Sequence, residues 1–291
     1  MDASTIPPPH PHPHWPTAFT PPPGACDAHC HIFGPAAQFP FAPDRTYTPP
    51  DAGYDQFVRL QERLGLSRAV FVQASCHGTD NAAMVDAIRR GQGRYAGVAM
   101  IDDTFSDAEI GTLHDAGVRG VRFNFVAHLG GAPAMDEFWA VVHRVAPFGW
   151  HVVLHFDAGD LPVYADLLDR LPVPYVIDHL ARVDASAGLE QEPFVRLCEL
   201  LGDERAWVKI SGGERLSSEG PPRYADVVPF ARAVIERAPD RVLWGTDWPH
   251  PNVQRMPDDG DLVDLLAAFA PDEATRTRIM VDNPNRLYDF G

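Results

Sequence analysis

Eight short apolar runs, each followed by a turn and a helical stretch, constrain this chain more than any other feature. The runs occupy residues 25–29, 69–74, 95–101, 120–125, 151–156, 175–179, 207–210 and 242–245. They are rich in Val, Ile, Leu and Ala with little polar alternation, as expected for strands covered on both faces. The stretches between them predict helices over 54–64, 82–90, 107–116, 135–146, 162–171, 192–201, 224–238 and 262–270, with a last helix over 272–281. Within 54–64, Phe57, Leu60 and Leu64 recur at helical spacing. Eight β–α units in 291 residues predict an α/β fold, a (β/α)8 TIM barrel. A doubly wound open sheet is the alternative, but it usually has fewer strands and a glycine-rich first turn. No GxGxxG or P-loop pattern follows any run, so nucleotide binding has no support.

The barrel is expected over 25–291 with no internal boundary, preceded by an arm over 1–24 that contains PPPHPHPHWP and TPPPG. Proline at this density blocks helix and sheet, so the arm is read as extended. His10, His12 and His14 could bind metal adventitiously, but packing of the arm on its own barrel or on a neighbouring subunit is the favoured reading. A homo-oligomer is compatible with that. A long insertion over 34–50 follows the first strand and carries Phe39, Phe41, Arg45 and Tyr47. Long loops at the carboxyl ends of barrel strands normally build the active site.

A net charge of -16 argues against nucleic acid and anionic membrane surfaces as partners, though local arginines can still receive a small anion. No apolar run is long enough to span a membrane, and the start lacks the basic and apolar regions of a secretory signal. Cys26, Cys30, Cys76 and Cys198 have no paired spacing and are read as reduced thiols, which suits a cytoplasmic protein.

The strands end in an unusual concentration of ionisable groups. Strand one ends His29-Cys30-His31, and on a strand the two histidines face the same way. Strand two ends with Ser75 and His77, strand four with Arg122, strand five with His155, strand six with Asp178, His179 and Arg182. Strand seven ends with Lys209 and is followed by Glu214 and Arg215. Strand eight runs into Asp247 and Asn252. A catalytic divalent metal needs three to five N/O ligands and one open position. His29, His31, His155 and Asp247 would supply that sphere, with His179 beside it to polarise a carbonyl or orient water. One divalent ion is expected, zinc or manganese, because such N/O sites overlap in preference. Lys209 is not where a bridging carboxylated lysine is expected, which argues against a second ion.

His-x-His on strand one, histidines on strands five and six and Gly-Thr-Asp-Trp-Pro on strand eight resemble the amidohydrolase superfamily. DAHCHIFGP, FPFAP, VQASCHGTDNAA, RGVRFNF, VIDH, WGTDWPHPN and NPNRLY are similar to its 2-pyrone-4,6-dicarboxylate lactonase group, which includes 4-sulfomuconolactone hydrolases. The resemblance runs from about Pro21 to Tyr288. It implies a hydrolase that opens a small anionic lactone in aromatic-compound breakdown. Asp247 would activate water and shuttle its proton, and His29, His31 and His179 would surround the attacked carbonyl. Tyr47, Arg122, Arg182, Arg215 and Asn252 would hold the substrate's anionic groups, with Ser75, His77 and His128 in the same pocket. Arginine suits this role because its planar fork binds a carboxylate or sulfonate with two hydrogen bonds.

Two departures from the group matter. The pyrone lactonase works without metal and has tyrosine where this chain has His155, which restores a metal-type ligand pattern. It also has a second arginine after RFNF where this chain has His128. Both tilt the expectation toward a metal-dependent muconolactone-type hydrolase. The alternatives are a metal-independent pyrone-dicarboxylate lactonase, a decarboxylase of the same superfamily, and a non-catalytic anion-binding protein.

Overall fold

The computed structural model describes residues 4–127 and 130–290. Its barrel strands are β1 (Cys26–Cys30), β2 (Arg68–Val72), β3 (Tyr95–Ala99), β4 (Val118–Asn124), β5 (His151–His155), β6 (Tyr175–Ile177), β7 (Ala206–Lys209) and β8 (Val242–Leu243). They form one sheet in chain order, every neighbouring pair parallel. Backbone bonds close the ring between β8 and β1: Ala28 N–H donates to Trp244 O at 2.9 Å and Asp247 N–H to His29 O at 2.8 Å. The fold is therefore a (β/α)8 TIM barrel.

Closure depends on two local features. Buried Asp27 accepts from Thr246 N at 3.0 Å and from Thr246 Oγ1 at 2.6 Å, tying β1 to the segment after β8. Gly245 lies so close to β1 that a Cβ there would stand 2.4 Å from His29 N, so no larger residue fits. Strand alternation then sorts the side chains. Ala69, Phe71, Val121, Leu154, Ile177 and Val208 join the large core beneath the helices. Val70, Val98, Val153, Val176, Trp207 and Leu243 form a separate inner cluster, which Tyr288 also joins.

The surrounding helices are α1 (Tyr54–Leu64), α2 (Ala82–Arg90), α3 (Asp107–Asp115), α4 (Met135–Val145), α5 (Leu161–Arg170), α6 (Glu192–Leu200), α7 (Val228–Arg237) and α8 (Asp259–Phe269). α1 buries Phe57, Leu60 and Leu64, the apolar positions legible in its sequence. Two segments differ from the sequence reading. Strand β6 stops at Ile177 instead of reaching 179, because His179, Leu180, Ala181 and Arg182 all take left-handed backbone angles. The terminal helix expected over 272–281 runs on to Tyr288, as Glu273–Thr277, one widened helical turn over Arg278–Asp282 and Asn283–Tyr288 in continuous helical backbone. Among the described residues no helix is long and apolar enough to cross a membrane.

The proline-rich segment lies against the barrel's own surface. Ser4–Thr5 pairs in parallel with Tyr47–Thr48. Further on, His14 N–H donates to Asp258 Oδ1 at 3.0 Å and Thr17 N–H to Asp264 Oδ1 at 2.8 Å, both carboxylates lying at or within α8. All four cysteines are free thiols, and Cys30 packs in the outer core beyond the two histidines that flank it.

Candidate active site

Where the carboxyl ends of the strands converge, a cavity of about 750 Å³ opens. Its wall includes His31, Tyr47, Ser75, Arg122, His155, His179, Arg182, Arg215, Asp247 and Asn252. Most of the residues nominated from the sequence thus meet in one place. His29 is fully buried just behind that wall. His77 is the exception: it accepts from Gly34 N–H at 3.2 Å and its Nδ1 donates to Pro40 O at 3.2 Å, so it staples the 34–50 insertion and does not line the cavity. His128 lies outside the described residues.

Asp247 is the hub. It follows β8 with φ 65, a left-handed conformation that non-glycine residues seldom adopt away from functional sites. Its Oδ1 faces three imidazole Nε2 atoms, of His31 at 3.1 Å, His29 at 3.5 Å and His179 at 3.9 Å. Its Oδ2 accepts from Arg215 Nε at 2.7 Å and from a second guanidinium nitrogen of the same arginine. Burial alone would raise this carboxyl's pKa. The Arg215 guanidinium above all, with the imidazoles of His179 and His31 beside it, outweighs that and holds it well below the ordinary range.

The ring orientations follow from who can donate. His31 Nδ1 donates to Val72 O at 2.8 Å, so its Nε2 is the atom presented to Asp247. Lys209 Nζ lies 3.0 Å from His29 Nδ1 and 3.1 Å from Asp178 Oδ1. Arg122 donates from Nε to Asp178 Oδ2 at 3.0 Å and from a terminal nitrogen to His155 Nδ1 at 3.1 Å. Ammonium and guanidinium groups only donate, so Nδ1 of His29 and of His155 is assigned as the acceptor and the ring proton to Nε2; Asn124 Oδ1, 3.2 Å from His155 Nδ1, fits that assignment once its amide is turned to present Nδ2. Asp178 Oδ1 also stands 3.3 Å from His29 Nδ1, but the ammonium is nearer. Burial first, then the charges of Lys209 and Arg122 respectively, push the pKa of both rings well down and keep them neutral. Among the described residues neither Nε2 has a hydrogen-bond partner: that of His155 opens on the cavity, and that of His29 faces Asp247 Oδ1 at 3.5 Å.

His179 is fixed from behind. Its Nδ1 lies 2.9 Å from Ser211 Oγ, and a Cβ on Gly212 would meet the ring at 2.9 Å. Gly212 also has φ +76, so both space and backbone require glycine there. The left-handed run from His179 to Arg182 aims both of those side chains at the cavity and costs of order 1–3 kcal/mol per residue. Arg182 donates from Nε to Asp157 Oδ1 at 2.5 Å at the cavity's edge.

For a metal, the donor set that the chain assembles most tightly is His29, His179 and Asp247, whose ligand atoms lie within 4.8 Å of one another. Two imidazoles and a carboxylate fit a divalent N/O-preferring ion in kind and number. His31 and His155, expected in that sphere from the sequence, both stand outside this tight set. A second set, Glu214, Asp247 and His250, already holds a cation in the Arg215 guanidinium.

The sequence reading passed over five residues of this constellation as site residues: Asp178, Lys209, Glu214, His250 and Asp259. A lysine in a strand otherwise buried on both faces was a readable signal, because an unpaired ammonium cannot stay there. The partners of Lys209 lie on other strands and carry no local mark.

Histidines at or just beyond the ends of strands one, five and six, and an aspartate after strand eight, place the chain in the class of TIM-barrel enzymes that work from the carboxyl ends of their strands. Residues 26–290 match the amidohydrolase family, and the chain belongs to it. It is 50% identical over 276 residues to a 2-pyrone-4,6-dicarboxylate hydrolase of Comamonas testosteroni, covering 92% of this chain and 90% of that one. It is 43% identical over 277 residues to a 4-sulfomuconolactone hydrolase of Rhizobium radiobacter, covering 94% and 92%. Among solved structures it resembles a candidate 2-pyrone-4,6-dicarboxylic acid hydrolase of Acinetobacter baumannii with citric acid bound. The TM-score is 0.82 at 27% identity, covering 92% of this chain and 100% of that one.

Proposed function

We propose that this chain hydrolyses a small anionic lactone, of the muconolactone type such as 4-sulfomuconolactone or 2-pyrone-4,6-dicarboxylate, in the cytoplasmic breakdown of aromatic compounds. The observation that carries this reading is one ionised carboxylate, Asp247, facing three imidazoles in a cavity walled by Arg122, Arg182 and Arg215. The named activities of the two relatives support it.

In this mechanism Asp247 takes a proton from the water that attacks the ring carbonyl carbon. In the absence of a metal, the Nε2–H group of His155 donates to the oxygen on which negative charge develops, where a fixed donor in a buried site is most effective, while that of His29 faces Asp247 and helps to hold its carboxylate. When the ring C–O bond breaks, Asp247 returns the proton to the departing oxygen and a ring-opened acid results. Tyr47, Ser75, Arg182 and Asn252 hold the substrate's carboxylate or sulfonate. Arg122 and Arg215 add positive potential, although part of each guanidinium is committed to Asp178 and to Asp247.

A single divalent ion, zinc or manganese, would be held by His29, His31, His179 and Asp247, with His155 next to them, and would act as a Lewis acid that makes water more acidic. A metal-independent reading has its own support. Lys209 and Arg122 set protons on the Nε2 atoms of His29 and His155, and Arg215 already supplies Asp247 with a cation. Metal analysis with chelation decides between the two: full activity in stoichiometrically metal-free protein selects the metal-independent form. Product analysis tests hydrolysis itself, because ring-opened acid with proton release is expected and carbon dioxide would instead mark a decarboxylase.

A further inference from the structure

Behind Arg215 the structure holds a row of buried charges that the mechanism above leaves unused. Glu214 lines the cavity wall, yet its side chain is 1% exposed and, among the described residues, neither carboxylate oxygen has a hydrogen-bond partner. Its charged neighbours are Arg215 Nε, 3.4 Å from Oε1, and His250 Nδ1, 3.8 Å from Oε1. His250 is fully buried, and its Nε2 lies 2.9 Å from Oδ1 of Asp259, the equally buried first residue of α8. Together these give an alternating series: Asp247, Arg215, Glu214, His250, Asp259. A carboxylate lies beside each ring nitrogen of His250, in hydrogen-bond contact at Nε2 and at 3.8 Å without a hydrogen bond at Nδ1, and negative charge on both sides favours the imidazolium.

A buried carboxylate that accepts no hydrogen bond is costly, and a guanidinium 3.4 Å away could relieve it. Arg215 instead gives its hydrogen bonds to Asp247. The cation on the far side of Glu214 explains the difference. It satisfies Glu214 by charge from behind, so Glu214 does not draw the arginine away. His250 is in turn anchored by Asp259 and by its own N–H, which donates to Asp247 O at 2.8 Å.

We infer that His250, held between Glu214 and Asp259, is a positioning residue that keeps the Arg215 guanidinium on Asp247 by countering the pull of Glu214. Its side chain is fully buried and does not line the cavity. It acts through two intervening side chains on the orientation of the carboxylate that the proposed hydrolysis uses, and to that extent rests on that reading.

The test is a mutant cycle on the full-length protein, read by crystal structure and by steady-state kinetics. In His250→Gln the counter-charge is gone, so Arg215 is expected to turn its Nε toward Glu214 and leave Asp247. Turnover of a lactone that the parent opens should fall about tenfold or more in kcat, with KM changed by less than about threefold. In His250→Gln/Glu214→Gln the competing carboxylate is gone too, so Arg215 should return to Asp247 and kcat should recover to that of Glu214→Gln alone. A merely structural role for His250 would lower the yield of folded protein and would not be rescued by Glu214→Gln. His250→Asn removes the same charge with a smaller side chain and is read in the same way if the glutamine variant does not fold. The inference is overturned if Arg215 stays on Asp247 in the single variant, or if the double variant is no better than the single. The crystallographic arm needs no substrate. If the parent opens no lactone while Arg215 moves as described, the functional reading fails and the positioning role stands.

Discussion

Replacing Lys209 by methionine tests the electrostatic framework beneath the site. Lys209 is fully buried, with Nζ 3.1 Å from Asp178 Oδ1 and 3.0 Å from His29 Nδ1. Methionine keeps most of the stem volume, so the change removes charge without opening a large cavity. Removing one member of a buried ion pair costs about 3–5 kcal/mol, mainly because the remaining charge is stranded. Asp178 keeps Arg122 Nε at 3.0 Å, which places the loss at the lower end, about 3 kcal/mol. For a domain of this size that corresponds to a fall of roughly 6–9 °C in Tm. The assay is urea unfolding followed by circular dichroism, with a thermal scan beside it. The partner experiment is Lys209→Met/Asp178→Asn, which removes both charges and should regain much of the loss. A single-variant loss below about 1 kcal/mol, or a double variant as unstable as the sum of two singles, would refute the reasoning.

Three further outcomes follow from the same geometry. The imidazole of His151 is buried, and burial with the nearby Lys209 charge pushes its pKa down to about 3. The unfolded chain, with a histidine pKa near 6.5, takes up the proton first as pH drops. Stability from this residue is therefore complete above pH 6.5 and is lost as pH falls toward 3, by about 2 kcal/mol between pH 6.5 and 5. Urea midpoints across that range should show the slope, and His151→Gln should reduce it by this residue's share while buried His29 and His155 keep the rest; an unchanged slope would count against the assignment. Arg182→Gln should raise KM for a dianionic lactone about tenfold with little change in kcat, since among the described residues this arginine pairs with half-exposed Asp157 alone. Equal losses in kcat and kcat/KM would show that Arg182 acts in the transition state instead. Ser211→Ala should lower kcat severalfold by freeing the His179 ring, whose Nδ1 lies 2.9 Å from the hydroxyl, and unaltered kinetics would remove that hydroxyl from the account.

The barrel was legible because its cause is local. Apolar runs such as 151–156 and helical faces such as Phe57, Leu60 and Leu64 declare themselves without knowledge of their neighbours. The candidate site was legible for a related reason: in a barrel of this kind strand ends converge, so listing what each strand ends with gathers His31, Arg122, His155, His179 and Asp247 in advance. What stayed hidden depends on pairing across strands. Nothing near Lys209 in sequence announces Asp178 and His29 as its partners, and nothing near His250 announces Asp259 at the start of α8. His77 shows the opposite error, since a strand-end position suggested the pocket while backbone partners on the 34–50 insertion claimed its ring. The left-handed turn at 179–182 was also unreadable, because four non-glycine residues in that conformation run against local preference and are held there by the tertiary structure.

The most direct measurement is a pH-stat assay of ring opening with 4-sulfomuconolactone and 2-pyrone-4,6-dicarboxylate, comparing the parent protein with Asp247→Asn. The account predicts one proton released per lactone opened by the parent. It predicts a loss of about a thousandfold or more in kcat for the variant, with substrate binding by calorimetry largely retained. Turnover by Asp247→Asn within about tenfold of the parent would contradict the role given to Asp247. A folded parent that binds both lactones and opens neither would contradict the proposed activity.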